Sequence, residues 1–204
     1  MKYLLFGHPR GGTSTAMRGL YFAGMNVWRD VRRDQKAHRD ADREGFTKHP
    51  NPYGFWEVPY GVGREHDWPN NLPDGWAAKV FAPTIRQLRD RGTGEWMVAY
   101  LTRDPDEIAA SYRRMMGRPT MRWRTADQYH ARVDQDIARL EAIGCVVSVT
   151  RLDYNAMCAD PPASTIAEYQ RLADAGWPLD PRAVAELIDP ALRRNVREAD
   201  LATV

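Results

Sequence analysis

Cysteine is scarce in this chain. Cys145 and Cys158 are the two present, too few for a disulfide framework, and no Cys/His cluster has the spacing of a zinc site. Both read as reduced packing residues of a cytoplasmic protein. Long hydrophobic runs are missing too, including any N-terminal apolar segment of the kind that directs export. The sequence therefore predicts a soluble, unexported protein that spans no membrane. Neither sign of charge prevails: 29 Lys and Arg against 27 Asp and Glu leave a formal net charge of +2. That balance argues against nucleic acid as a partner, because such binders carry a strongly basic face. Internal repeats and low-complexity linkers are absent. A length of 204 residues fits one domain, residues 1–204, with a core that needs no covalent staples. Oligomeric state is not legible.

What the chain does have is concentrated at its start, in KYLLFGHPRGGTSTAMRGLYFAG, Lys2 to Gly24. Tyr3 to Phe6 is a short apolar run suited to a buried parallel strand. Gly7-His8-Pro9-Arg10-Gly11-Gly12 is a glycine-bracketed turn, after which Thr13 and Ser14 open a helical pattern that Gly24 closes. Strand, glycine loop and helix start form an anion cradle, with backbone N–H groups and the positive end of the helix dipole converging on one spot. Phosphate or sulfate is its natural occupant. The nucleotide triphosphatase loop reads G-x-x-x-x-G-K-[ST], and here Thr13 stands where its lysine belongs. Ordinary ATP or GTP hydrolysis is thereby disfavoured, while a cation persists three places earlier as Arg10.

Further along, Arg29 to Glu44 mixes both signs of charge evenly, as a solvated surface segment does. His49 to Trp76 interrupts regular structure with prolines and crowds in aromatics. These either wall an acceptor pocket or pack a long connection onto the sheet. Within it, Asn51-Pro52-Tyr53-Gly54-Phe55-Trp56-Glu57 surrounds one acid with rings. A carboxyl desolvated in this way has a raised pKa, which suits a general base; His49 and His66 are the other candidates. Ala77 to Phe81 reads as a strand carrying Lys79, with Pro83 opening a helix to about Arg91. Met97 to Thr102 is a further buried strand. Arg103 falls at its C-terminal end, where open α/β sheets bind ligands. Asp104, Pro105 and Glu107 give a helix start, and Ser111 lies near that helix's apolar face, so a phosphate between Arg103 and Ser111 would satisfy it.

Thr125 to Ile143 is a long amphipathic helix read as scaffold, and Cys145 to Val149 the next strand. Ser164 to Ala175 and Pro181 to Leu187 are two more helical patterns.

Several of these segments resemble the bacterial-type sulfotransferases that use 3′-phosphoadenosine 5′-phosphosulfate (PAPS). Pro9-Arg10-Gly11-Gly12-Thr13-Ser14 resembles their 5′-phosphosulfate loop, P-(K/R)-x-G-T-(S/T). Arg103-Asp104-Pro105-Asp106-Glu107-Ile108-Ala109-Ala110-Ser111 is similar to their R-(D/N)-P-x-(D/E)-x-x-x-S motif, whose arginine and serine hold the 3′-phosphate. The segment ending in Glu57 resembles N-P-x-G-(Y/F)-(Y/W)-E. Lys79-Val80-Phe81-Ala82-Pro83 resembles the K-x-H-x-P segment of animal cytosolic sulfotransferases with Phe81 replacing the histidine, which moves the role of base to Glu57. Tyr154-Asn155-Ala156-Met157 with Pro161 resembles a segment whose tyrosine lies near adenine, although Ala156 replaces an Asp; packing is the other role open to Tyr154. Ile188 to Asn195 resembles the family's ending, where a basic residue, here Arg193 or Arg194, folds over the 3′-phosphate or else lies in solvent.

The resemblance implies a single α/β domain of three P-loop-like layers, with a central parallel sheet of four to five strands and helices on both faces, and transfer of a sulfuryl group from PAPS, without a metal, to a hydroxyl or amine of a small-molecule, carbohydrate or lipid acceptor. It implies Arg10, Glu57 and Lys79 as catalytic residues. It implies Arg10, Gly11, Gly12, Thr13, Ser14, Arg103, Ser111, Tyr154 and Arg194 as donor-binding ones. Two other classes stay open, a P-loop kinase-like phosphotransferase and a non-catalytic nucleotide-binding protein.

Overall fold

The computed structural model describes residues 1–28, 71–81, 88–90, 92–116 and 125–188. Its centre is β1 (Lys2–Gly7), whose six residues are all buried, as the uninterrupted apolar run requires of a strand covered on both faces. Helix α1 (Thr13–Phe22) and the short β2 (Asn26–Trp28) follow. Gly24, at φ 93°, makes the left-handed turn that ends α1 as expected. Then come β3 (Trp76–Phe81), β4 (Trp96–Thr102), α2 (Pro105–Met116), α3 (Ala126–Glu141) and β5 (Val146–Asp153). The one-turn α4 (Tyr154–Met157), α5 (Ala163–Asp174) and a 3₁₀ turn (Pro181–Val184) complete the described elements.

The five strands pair in the order β2-β3-β1-β4-β5, and every pair is parallel. Strand alternation splits the core in two. Tyr3 and Leu5 point with Ala77, Met97, Ala99 and Leu101 to one face, where α1 lays down Ala16, Met17 and Leu20 and α5 adds Tyr169 and Leu172. Leu4 and Phe6 point with Ala78, Val80, Val98 and Tyr100 to the other, covered by Ile108 of α2 and Tyr129, Val133 and Leu140 of α3. The result is the three-layer α/β architecture expected.

Two expectations need adjusting. The last strand begins one residue later than Cys145 and runs to Asp153, because β4 offers it pairing partners as far as Thr102. Pro181 to Leu187 is no α-helix: Asp180 caps a single 3₁₀ turn, and Val184 and Leu187 are both buried. Of the helix expected from Pro83, residues 82–87 and 91 lie outside the described residues, and 88–90 are helical.

The strand order places the site. From β1 the chain leaves with α1 toward β2 and β3; from β4 it leaves with α2 and α3 toward β5, on the other side of β1. Where neighbouring parallel strands send their connections in opposite directions, a crevice opens at their carboxyl ends. Gly7 is in register with Leu101, so the glycine loop and Arg103 emerge side by side.

Candidate functional site

The loop is a tight turn. The Gly11 amide donates to the His8 carbonyl at 3.0 Å, and Arg10 sits in the left-handed region at φ 69°, which non-glycine side chains rarely adopt and which accumulates at functional sites. Because the Gly11 N–H is spent inside the turn, it drops out of the cradle that the sequence suggested. Gly12 at φ 88° leads into α1 with no side-chain cap, and no acid occupies the first turn. The amides of Gly12, Thr13 and Ser14 thus lie at a helix start whose dipole no carboxylate offsets.

Among the described residues, Arg10, Lys79 and Arg103 bring cationic side chains to this loop. Arg10 turns its side chain toward α2, its Nε donating to the Ser111 hydroxyl at 2.8 Å. Lys79 does not lie on an edge strand. Strand β3 lies inside the sheet, and Lys79, 1% exposed, sends Nζ to the Ser14 hydroxyl at 3.0 Å. Burying an ammonium costs several kcal/mol unless polar or anionic groups compensate. An anion at the loop would be such compensation.

Arg103, 9% exposed, is held on several sides. Its Nε and Nη2 donate to Glu107 Oε2 at 3.0 and 2.8 Å, Nη1 donates to the Arg10 carbonyl at 3.0 Å, and its guanidinium lies 4.7 Å from the centre of the Tyr154 ring. Asp104 caps α2 as expected, accepting from the amides of Asp106 and Glu107. Glu107 also serves as the partner of Arg103. The i,i+4 spacing of Arg103 and Glu107 is the sequence signal for this pair.

Tyr154 closes the floor of the loop: a Cβ on Gly12 would lie 2.7 Å from Tyr154 Cγ, so glycine is required there for space as well as for φ. Of the two roles open to Tyr154, packing accounts for these contacts. Burial, foremost, pushes its phenol up to about 12.

Beneath the loop lies a polar group that the sequence reading took for plain scaffold. Asp136 of α3, 0% exposed, accepts from the Tyr100 hydroxyl at 3.3 Å and from Arg132 Nε at 3.2 Å, and His8 Nε2 lies 4.0 Å away. Asp136 falls three residues after Val133 and four before Leu140, on the apolar stripe, and a carboxylate there was the available signal. The Tyr129 hydroxyl accepts from the Arg103 amide at 3.1 Å, tying the same helix to the end of β4. Burial raises the phenols of Tyr100 and Tyr129.

The structure thus brings together Arg10, Gly11, Gly12, Thr13, Ser14, Lys79, Arg103, Ser111 and Tyr154. Glu57, His49, His66, Arg193 and Arg194 lie outside the described residues. Among the described residues, no group of three or more His, Cys, Asp and Glu is placed to hold a metal ion, and no helix is long and apolar enough to cross a membrane.

No family model matches the chain, and no curated protein does. Among solved structures it is similar to the unliganded crystal structure of a sugar kinase from Janibacter sp. HTCC2649, at 14% identity, over 89% of this chain and 96% of that one, with a TM-score of 0.37. A likeness of that degree carries no argument for fold or activity. The fold stated above rests on the strand order and the layers themselves.

Proposed function

We propose that the protein is a group-transfer enzyme of P-loop type, and specifically a sulfotransferase using PAPS as donor. One observation carries this reading: the Arg10–Ser111 hydrogen bond of 2.8 Å joins the two sequence motifs that resemble the two ends of a PAPS site. PAPS supplies the sulfuryl group and leaves as adenosine 3′,5′-bisphosphate. Arg10, Lys79 and the amides of Gly12 to Ser14 stabilise charge on the transferring group and the leaving oxygen, worth a few kcal/mol per donor, or about 10²–10³ in rate. Ser111 and Arg103 face the 3′-phosphate, as the resemblance implies. Glu57 takes the acceptor's proton as the acceptor oxygen or nitrogen bonds to sulfur in line with the departing phosphate. The acceptor is a hydroxyl or amine of a small molecule, carbohydrate or lipid.

A second reading, a P-loop kinase-like phosphotransferase, has an observation of its own. Lys79 reaches Ser14 from β3, and Ser14 stands at the [ST] of G-x-x-x-x-G-K-[ST], so the cation missing at Thr13 is supplied from the next strand. Transfer assays with radiolabelled PAPS and with γ-labelled ATP, against one panel of sugars, phenols and aliphatic alcohols, separate the two. Label passing from PAPS supports the first reading; label passing from ATP alone replaces it by the second.

A further inference from the structure

The loop is held from behind by a chain of polar contacts that begins well away from it. Asn155, in α4, accepts from the Asp104 amide through Oδ1 at 2.8 Å and donates through Nδ2 to Glu107 Oε1 at 3.0 Å. Glu107 uses its other oxygen, Oε2, on Arg103 Nε and Nη2. Arg103 passes the connection to the carbonyl of Arg10, the one described non-glycine residue with positive φ. Asn155 is itself fixed, since the Asp153 carboxylate accepts from its amide at 2.7 Å and Glu168 of α5 accepts from the Asp153 amide at 2.9 Å.

Each link is geometrically specific. A guanidinium gripped at Nε and Nη2 has its plane set, and Nη1 is then aimed in one direction. That direction is the Arg10 carbonyl, so the peptide that follows Arg10 is oriented by a charged donor. The Tyr154 ring against Arg103 and beneath Gly12 closes the same assembly from below. Glu107 also neutralises much of the Arg103 charge.

We infer that Asn155 and Glu107 are positioning residues for the donor: acting through Arg103, they hold the left-handed turn at Arg10 in the shape that grips the 5′ end of the nucleotide. This rests on the nucleotide-donor reading of the site and adds to it a set of residues outside the loop that control the loop's affinity.

Asn155→Ala tests the inference without altering any charge, and Glu107→Gln is the second variant should the first fold poorly. Titration calorimetry on the full chain, with adenosine 3′,5′-bisphosphate and adenosine 5′-phosphate, reads both stoichiometry and Kd. A misaligned loop weakens both ligands by a common factor of about tenfold or more, with one site per chain retained. A merely structural role lowers the active fraction and leaves Kd alone, and that result overturns the inference. So does a loss confined to the bisphosphate, which places the effect at the 3′-phosphate and not at the loop. If the unaltered protein binds neither ligand, the nucleotide reading itself falls and this inference with it.

Discussion

Arg10 and Ser111, 101 positions apart in sequence, are joined by a hydrogen bond of 2.8 Å between Nε and the hydroxyl. The contact couples the glycine loop after β1 to the second turn of α2. A phosphate entering there meets both groups at once. Ser111→Ala removes one hydrogen-bond donor from such a ligand and is expected to weaken adenosine 3′,5′-bisphosphate about tenfold, the size of one hydrogen bond to a charged group. Adenosine 5′-phosphate, which lacks the second phosphate, should be much less affected. Calorimetric titration of both ligands against the variant checks this.

Lys79 separates stability from activity. Its near-complete burial imposes a desolvation cost on the fold that an apolar side chain of similar volume does not carry. Lys79→Met is expected to keep or raise the urea midpoint while reducing group transfer by about 10²–10³. Denaturation and turnover measured on one preparation distinguish this from a purely structural lysine, whose loss moves the midpoint first.

Two glycines with positive φ make an internal control. Gly24, at φ 93°, has nothing within 4 Å of an added Cβ, whereas at Gly12, φ 88°, the Cβ meets the Tyr154 ring. Gly24→Ala should cost only the left-handed strain, about 1–2 kcal/mol. Gly12→Ala adds a steric collision, so it should cost more and abolish nucleotide binding. Equal effects of the two substitutions in a denaturation series would contradict the placement of Tyr154.

The Tyr154 phenol titrates at about 12 in the fold against an ordinary 10.0. Its proton is held more tightly in the native state, so the associated stability is fully present below pH 10 and lost as pH rises through about 12. Over that window the unaltered protein should lose about 2–3 kcal/mol relative to Tyr154→Phe. Urea denaturation of both proteins at pH 9, 10, 11 and 12 gives the difference directly; a constant difference would place the phenol in water.

Much of the fold was legible because its signals are local. The apolar run at Tyr3 to Phe6, the glycine spacing from Gly7 to Gly12 and the Arg103-Asp104-Pro105 strand end each declare themselves within a few residues. The sites of greatest consequence for the loop are of another kind. Whether Lys79 lies at a sheet edge or inside depends on which strands flank β3, and that is decided by connections between elements far apart in sequence. Glu107 carried a helix-start signal that α2 bears out, and it pairs with Arg103 besides. Asp136 sat on an apolar stripe and was absorbed into it, although a buried carboxylate beneath the loop contributes polar contacts that an apolar residue cannot. Asn155 has no local signature: its role exists only because β4 and β5 end side by side.

The central claim is that one adenosine carrying phosphates at both ends spans the loop and the Arg103–Ser111 pair. Calorimetric titration of the protein with adenosine 3′,5′-bisphosphate and with ATP tests it most directly. The account predicts that the bisphosphate binds at least about tenfold more tightly than ATP, as one added hydrogen-bonded phosphate contact requires. Tighter binding of ATP, with indifference to the 3′-phosphate, would contradict it.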